Sequence, residues 1–210
     1  DAKLFSPTEN LNSALEITRT LQNRHGMQFA VVYTNHDPFI VPPSDWTATI
    51  NEWISYMTDP DYVRVNGKPM LMLLNMEAMR QAFGSSAAVA SAFDQLRTAA
   101  QAQGLPGVYI VGNFFACYDP ITHISPFPDL SIAATDGYDA VSMYGWCVGI
   151  VTGEQPFSIL SDSGQWMWSQ AALNTPVPFI PVAMDGWDAR PWGNFWLGLS
   201  HSSGRPLPDW

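Results

Sequence analysis

Five short, almost continuously apolar runs recur along the chain, each separated from the next by a longer intervening stretch. This rhythm limits the fold more than any single motif does. The runs are 27–33, 69–74, 108–111, 140–143 and 179–183. Runs without polar alternation are the mark of parallel strands covered on both faces. The intervening stretches carry helix signals. Ser6, Pro7 and Glu9 read as an N-cap, a first-turn proline and the far end of a capping box, with the helix running towards Gly26. Ser44 caps a second helix, whose Trp46, Ile50, Trp53, Ile54 and Met57 form one apolar stripe. Asp59-Pro60 ends it, and Asn66-Gly67 makes a tight turn. A third helix spans 85–102, with Val89, Phe93, Leu96 and Ala100 on one face and Gly104 as its stop, and 165–173 has weaker helical spacing.

Parallel neighbours need a crossover between them, so strands alternating with helices predict a parallel sheet packed against helices. A doubly wound sheet and a (β/α) barrel share this rhythm. No G-x-G-x-x-G follows the first strand, which counts against a dinucleotide-binding sheet. Polar and aromatic residues instead follow successive strands: Asn35-His36-Asp37, Asn75 with Glu77, 113–119, Tyr144-Gly145-Trp146 and 185–192. A barrel gathers its functional groups at the C-terminal ends of its strands in this way. The expected fold is therefore α/β, a (β/α)8 TIM-type barrel. A full barrel uses eight units and about 250 residues, whereas about five strands are visible here. Residues 1–210 are read as a single barrel domain that lacks its first strands and its last one.

Composition excludes several function classes. Nine Lys and Arg against 19 Asp and Glu give a net charge of −10, and the scattered basic residues offer no phosphate-binding surface, so nucleic acid is not an expected partner. No apolar run reaches the 18 residues of a membrane span. The four histidines and two cysteines, Cys117 and Cys147, have no metal-ligand or CxxC spacing, so neither a metal nor another cofactor is expected. Those two cysteines are read as either paired or free. G-x-S-x-G and G-x-x-x-x-G-K-[ST] are both missing, which gives no support to a nucleophile elbow or a phosphate loop of that type. Nine tryptophans and few lysines lean towards an extracellular or secretory location.

Four segments in order resemble glycoside hydrolase family 99 and its bacterial WbsX-type, glycosyltransferase-like relatives. Residues 59–69, Asp-Pro-Asp-Tyr-Val-Arg-Val-Asn-Gly-Lys-Pro, are similar to that family's DPxYxRVxGKPV signature. Residues 105–110 resemble its next strand, 137–141 its GFDAV entry, and 181–192 its PxxxGxDxRPW segment. The likeness covers residues 25–194. It implies a (β/α)8 barrel that cleaves α-mannoside-like polysaccharide linkages internally, with retention and without a metal. It also implies catalytic carboxylates in an Asn-Glu-Trp-x-Glu segment after the last strand, which this sequence does not contain. Asn51-Glu52-Trp53 falls on the core stripe of a helix, with Ser55 where the second Glu would stand. Two alternatives follow: a catalytically inactive carbohydrate-binding or structural barrel, and a glycosyltransferase-like polysaccharide assembly protein.

Glycoside hydrolysis needs two carboxyl groups flanking the sugar, one protonated and one ionised. Asp37 and Asp185 are the expected catalytic pair; as loop residues they could equally cap backbone N–H groups. Asn35, His36, Glu77, Tyr144, Trp146, Trp187, Asp188, Arg190 and Trp192 are the expected substrate-binding residues. Several have competing roles. Asp188 and Arg190 could pair to fix their loop, Glu77 could serve a helix N-terminus, and His36 could pack its own loop. The tryptophans could stack on sugar or fill core. Phe114, Phe115 and Tyr118 open a long aromatic stretch that could wall the cleft or cover itself as a lid.

Overall fold

The computed structural model describes residues 10–21, 23–37, 39–118, 128–148 and 156–184. In chain order the elements are helix α1 (Asn10–Thr20), strand β1 (Val31–Tyr33), α2 (Trp46–Met57), β2 (Arg64–Val65), β3 (Lys68–Leu73), α3 (Met76–Phe83) and α4 (Ser86–Ala102). They continue with β4 (Tyr109–Tyr118), α5 (Ala133–Asp136), β5 (Ala140–Val148), α6 (Phe157–Asn174) and β6 (Phe179–Ile180). All five apolar runs contain a strand. Three elements go beyond the expected pattern: β2, α3 and the four-residue α5. Asn66 and Gly67, both at positive φ, turn β2 back onto β3 as a small antiparallel hairpin. Asn75 starts the separate short helix α3, which Gly84 ends in the left-handed conformation before Ser85 caps α4.

The parallel strands lie in the order β1-β3-β4-β5-β6. Each new strand is added to the same edge, whereas a doubly wound sheet reverses direction partway. This order is compatible with consecutive strands of a barrel. Among the described residues five parallel strands are in place, of the eight that a closed barrel uses. No helix among them is long and apolar enough to cross a membrane.

Register divides the sheet into two faces. Tyr33, Leu73, Gly112 and Val141 align on one. Tyr33 packs on Trp53 of α2 at a ring separation of 5.1 Å. Against Gly112 lie Met76 of α3 and Tyr138, which in turn meets Phe93 of α4 edge-on at 5.0 Å. A Cβ at Gly112 would stand 2.6 Å from Met76 and 2.7 Å from Tyr138, so only glycine admits this close packing of helix on strand. The other face carries Val32, Met72, Val111 and Ala140, and further along Asn113 and Ser142. Tyr62 ties the first two parallel strands together. Its hydroxyl accepts from the Val31 amide at 3.0 Å and donates to the Met70 carbonyl at 2.9 Å. Burial pushes this phenol up to about 12, so it remains a neutral donor.

The Asp59-Pro60-Asp61 segment is held by Arg24, which donates to both Asp59 oxygens at 2.7 and 2.9 Å and to Asp61 at 3.2 Å. The hydrogen bonds from Arg24 hold the Asp59 carboxyl below the ordinary carboxylate range. A depressed native value adds stability that is fully present above the unfolded value and lost as pH falls through the native one. Asp59→Asn is therefore expected to lower the urea midpoint at pH 7, and the gap to wild type should close in acid. A gap that is the same at pH 3 and pH 7 would assign the loss to something other than this ion pair.

Candidate functional site

The C-terminal ends of the parallel strands come together through backbone-directed side chains. Asn35, just beyond β1, is buried; its amide donates to the Asn75 carbonyl at 2.6 Å and its carbonyl accepts from the Asn75 amide at 2.8 Å. This fixes the β3–α3 corner. The Asn75 side chain then accepts from the Glu77 and Ala78 amides at 2.9 and 3.2 Å, capping α3. Glu77 occupies the first turn of α3, where negative charge is favoured. Arg80, three residues on, donates to it at 2.5 Å.

Beside this corner lies a cleft of about 210 Å³, lined by Asn75, Met76, Glu77 and Arg80, by Phe114 and Phe115 of β4, and by residues 128–130 with Ile132. It combines apolar walls with one guanidinium and two carboxylates, Glu77 and Asp129. The hydroxyl and amide of Ser131 donate to Asp129 and hold its carboxyl below the ordinary range, and the Arg80 charge adds to this. Phe115 and Tyr144 of β5 are 48% and 60% exposed, with ring centroids 6.1 Å apart. Between the Phe114–Met143 and Ala116–Trp146 pairs β4 advances two residues and β5 three, so β5 carries an extra residue and bulges beside Phe115. Two residues before Phe115, Asn113 is buried, and its side-chain oxygen has no hydrogen-bond partner.

Behind the cleft, Asp136 is fully buried and Tyr138 nearly so. Burial raises the Tyr138 phenol, and the nearby Asp136 charge raises it further.

The sequence-predicted site residues do not all meet at the cleft. Glu77 lines the cleft and Tyr144 stands beside its Phe115 wall. His36 and Asp37 are exposed in the loop after β1; the His36 ring lies 2.9 Å from the Asp37 carbonyl and meets Phe39 edge-on. Asn35 serves the corner just described. Trp146 lies within β5 rather than in a loop after it. Asp185, Trp187, Asp188, Arg190 and Trp192 lie outside the described residues. Arg80, Asp129 and Asp136 are brought to the site without having been singled out in the sequence. The i, i+3 spacing of Glu77 and Arg80 after an Asn cap was the one available signal. Among the described residues no group of three or more His, Cys, Asp or Glu side chains is placed to hold a metal ion.

Fold and site together define an α/β protein with a singly wound parallel sheet and an aromatic, charge-bearing cleft at the C-terminal ends of its strands. No family model matches this chain, and neither does any curated protein. Among solved structures the chain is similar to a glycoside hydrolase-like protein, with 20% identity and a TM-score of 0.41. The match covers 67% of this chain and 39% of that one. A likeness this distant leaves the function to be argued from the residues themselves.

Proposed function

We propose that this chain is a carbohydrate-active (β/α)-barrel domain, a glycoside hydrolase acting on α-mannoside-like polysaccharide. The observation that carries the reading is the exposed Phe115–Tyr144 pair beside a cleft bearing Glu77, Asp129 and Arg80. A sugar ring has an apolar C–H face and a rim of hydroxyls. Flat aromatic surface suits the first, and charged hydrogen-bonding groups suit the second. The four segments similar to glycoside hydrolase family 99 support the same reading, as does the barrel-type strand order. Closure into eight strands and an extracellular or secretory location belong to this proposal.

Asp37 and Asp185 are the proposed catalytic carboxyls. Asp37 follows β1, and Asp185 comes after the β6 segment in the sequence. One would protonate the leaving oxygen and the other would act from the opposite side of the ring. Asp185→Asn is expected to cut turnover by at least 100-fold while the thermal transition is retained. Full activity in that variant would remove Asp185 from the mechanism.

The reading itself is tested by incubating the purified protein with mannans and other α-glycans and weighing the products by mass spectrometry. Release of defined oligosaccharides without any donor supports a hydrolase. Glycan retained without release points to a binding barrel, and dependence on an activated sugar points to a transferase.

A further inference from the structure

Arg80 stands between the cleft and a buried polar cluster. Towards solvent it donates to Glu77, whose side chain is 59% exposed. Towards the interior its Nε lies 3.5 Å from Asp136 Oδ2, and the Asp136 side chain is 0% exposed. Neither Asp136 oxygen has a hydrogen-bond partner, and the same holds for Arg80 Nε and the Tyr138 hydroxyl.

A fully buried carboxylate that accepts no hydrogen bond is a poor way to stabilise a fold, because its desolvation is not offset by donors. Its neighbours Ala133 and Tyr138 belong to the hydrophobic core, where an apolar side chain would serve packing better. What the carboxylate faces is the one cation that lines the cleft among the described residues. Local costs of this kind concentrate where a functional group must be held in place.

We propose that Asp136 is a positioning residue, buried in order to hold the Arg80 guanidinium in the cleft wall so that its remaining N–H groups can meet the hydroxyl oxygens of a neutral sugar. This rests on the carbohydrate reading and narrows it. Glu77 and Asp129 beside the guanidinium, with Asp136 behind it, give a formal charge of +1 − 3 = −2, which disfavours acidic sugars.

The test compares the full chain with D136N, R80K and the double variant, using α-mannohexaose and maltohexaose as calorimetric probes. A ligand-independent readout is the rate at which phenylglyoxal, an arginine-selective dicarbonyl, modifies the Arg80 peptide. D136N is expected to bind the preferred probe at least tenfold more weakly, with a melting temperature no lower than that of wild type. Its Arg80 is expected to be modified several-fold faster. Because Asp136 acts through Arg80, the double variant should bind no more weakly than R80K alone. Wild-type affinity in D136N, or losses that multiply in the double variant, would overturn the proposal. If D136N does not fold, R80K decides, and unchanged affinity there overturns it as well. If the wild-type protein binds neither sugar, the carbohydrate reading fails separately. Positioning then rests on the labelling rate, and no change in that rate would overturn it.

Discussion

Trp53→Ala is expected to destabilise the protein by about 3–5 kcal/mol, the range for emptying a large aromatic site in a packed core. Trp53 is fully buried, edge-on to Trp46 at 5.3 Å and tilted on Tyr33 at 5.1 Å, so three large rings from α2 and β1 rest on one another. Its indole N–H has no hydrogen-bond partner, so truncation breaks no polar contact and the loss is one of packing and cavity formation. Urea denaturation at neutral pH measures it. The result also settles the meaning of Asn51-Glu52-Trp53. Glu52 receives the Tyr56 hydroxyl at 3.1 Å, and burial raises its carboxyl. Its partner lies on the same helix, so Glu52→Gln should leave the proposed sugar turnover intact. A stable Trp53→Ala variant that had lost only activity would instead return this tripeptide to the catalytic site.

The parallel sheet was legible because its signal is a property of short segments. Strands of a parallel sheet are apolar almost throughout, and 27–33, 69–74, 108–111, 140–143 and 179–183 fit that over a few residues, with Gln28 and Ser142 as the polar exceptions. The stripe from Trp46 to Met57 was legible for the same reason: helical spacing sends those side chains to one side, and Trp46, Ile50, Trp53, Ile54 and Met57 are all buried. Less could be read of the site, because its residues are joined across the chain. Asn35 looks like a loop-end hydrogen-bonding group, yet its partner is the backbone of Asn75, 40 residues away. Asp136 sits in an unremarkable Ala-Ala-Thr-Asp stretch, and only the packing of α5 near α3 brings it to Arg80. α3 itself has eight residues, too few for periodicity to announce a separate helix, and its caps Asn75 and Gly84 were the stronger mark.

Under the proposed carbohydrate function, Phe115→Ala and Tyr144→Ala are expected to weaken sugar binding far more than they weaken the fold. The two rings are about half and more than half exposed, so removing either should change stability by about 0.5 kcal/mol or less. Covering roughly 80 Å² of each ring with a sugar face is worth about 2 kcal/mol at 25 cal/mol per Å². That corresponds to a loss of about thirtyfold in affinity per ring. Phe115 also lines the cleft, whereas Tyr144 reaches it through contact with Phe115. The two losses should therefore fall short of multiplying in the double variant, because removing Phe115 already frees Tyr144 from its neighbour. Calorimetric titration of each variant with α-mannohexaose, beside its thermal melt, separates the two effects. Variants that melt like the wild-type protein and bind like it would move the sugar site away from this cleft and leave the aromatic pair without a ligand.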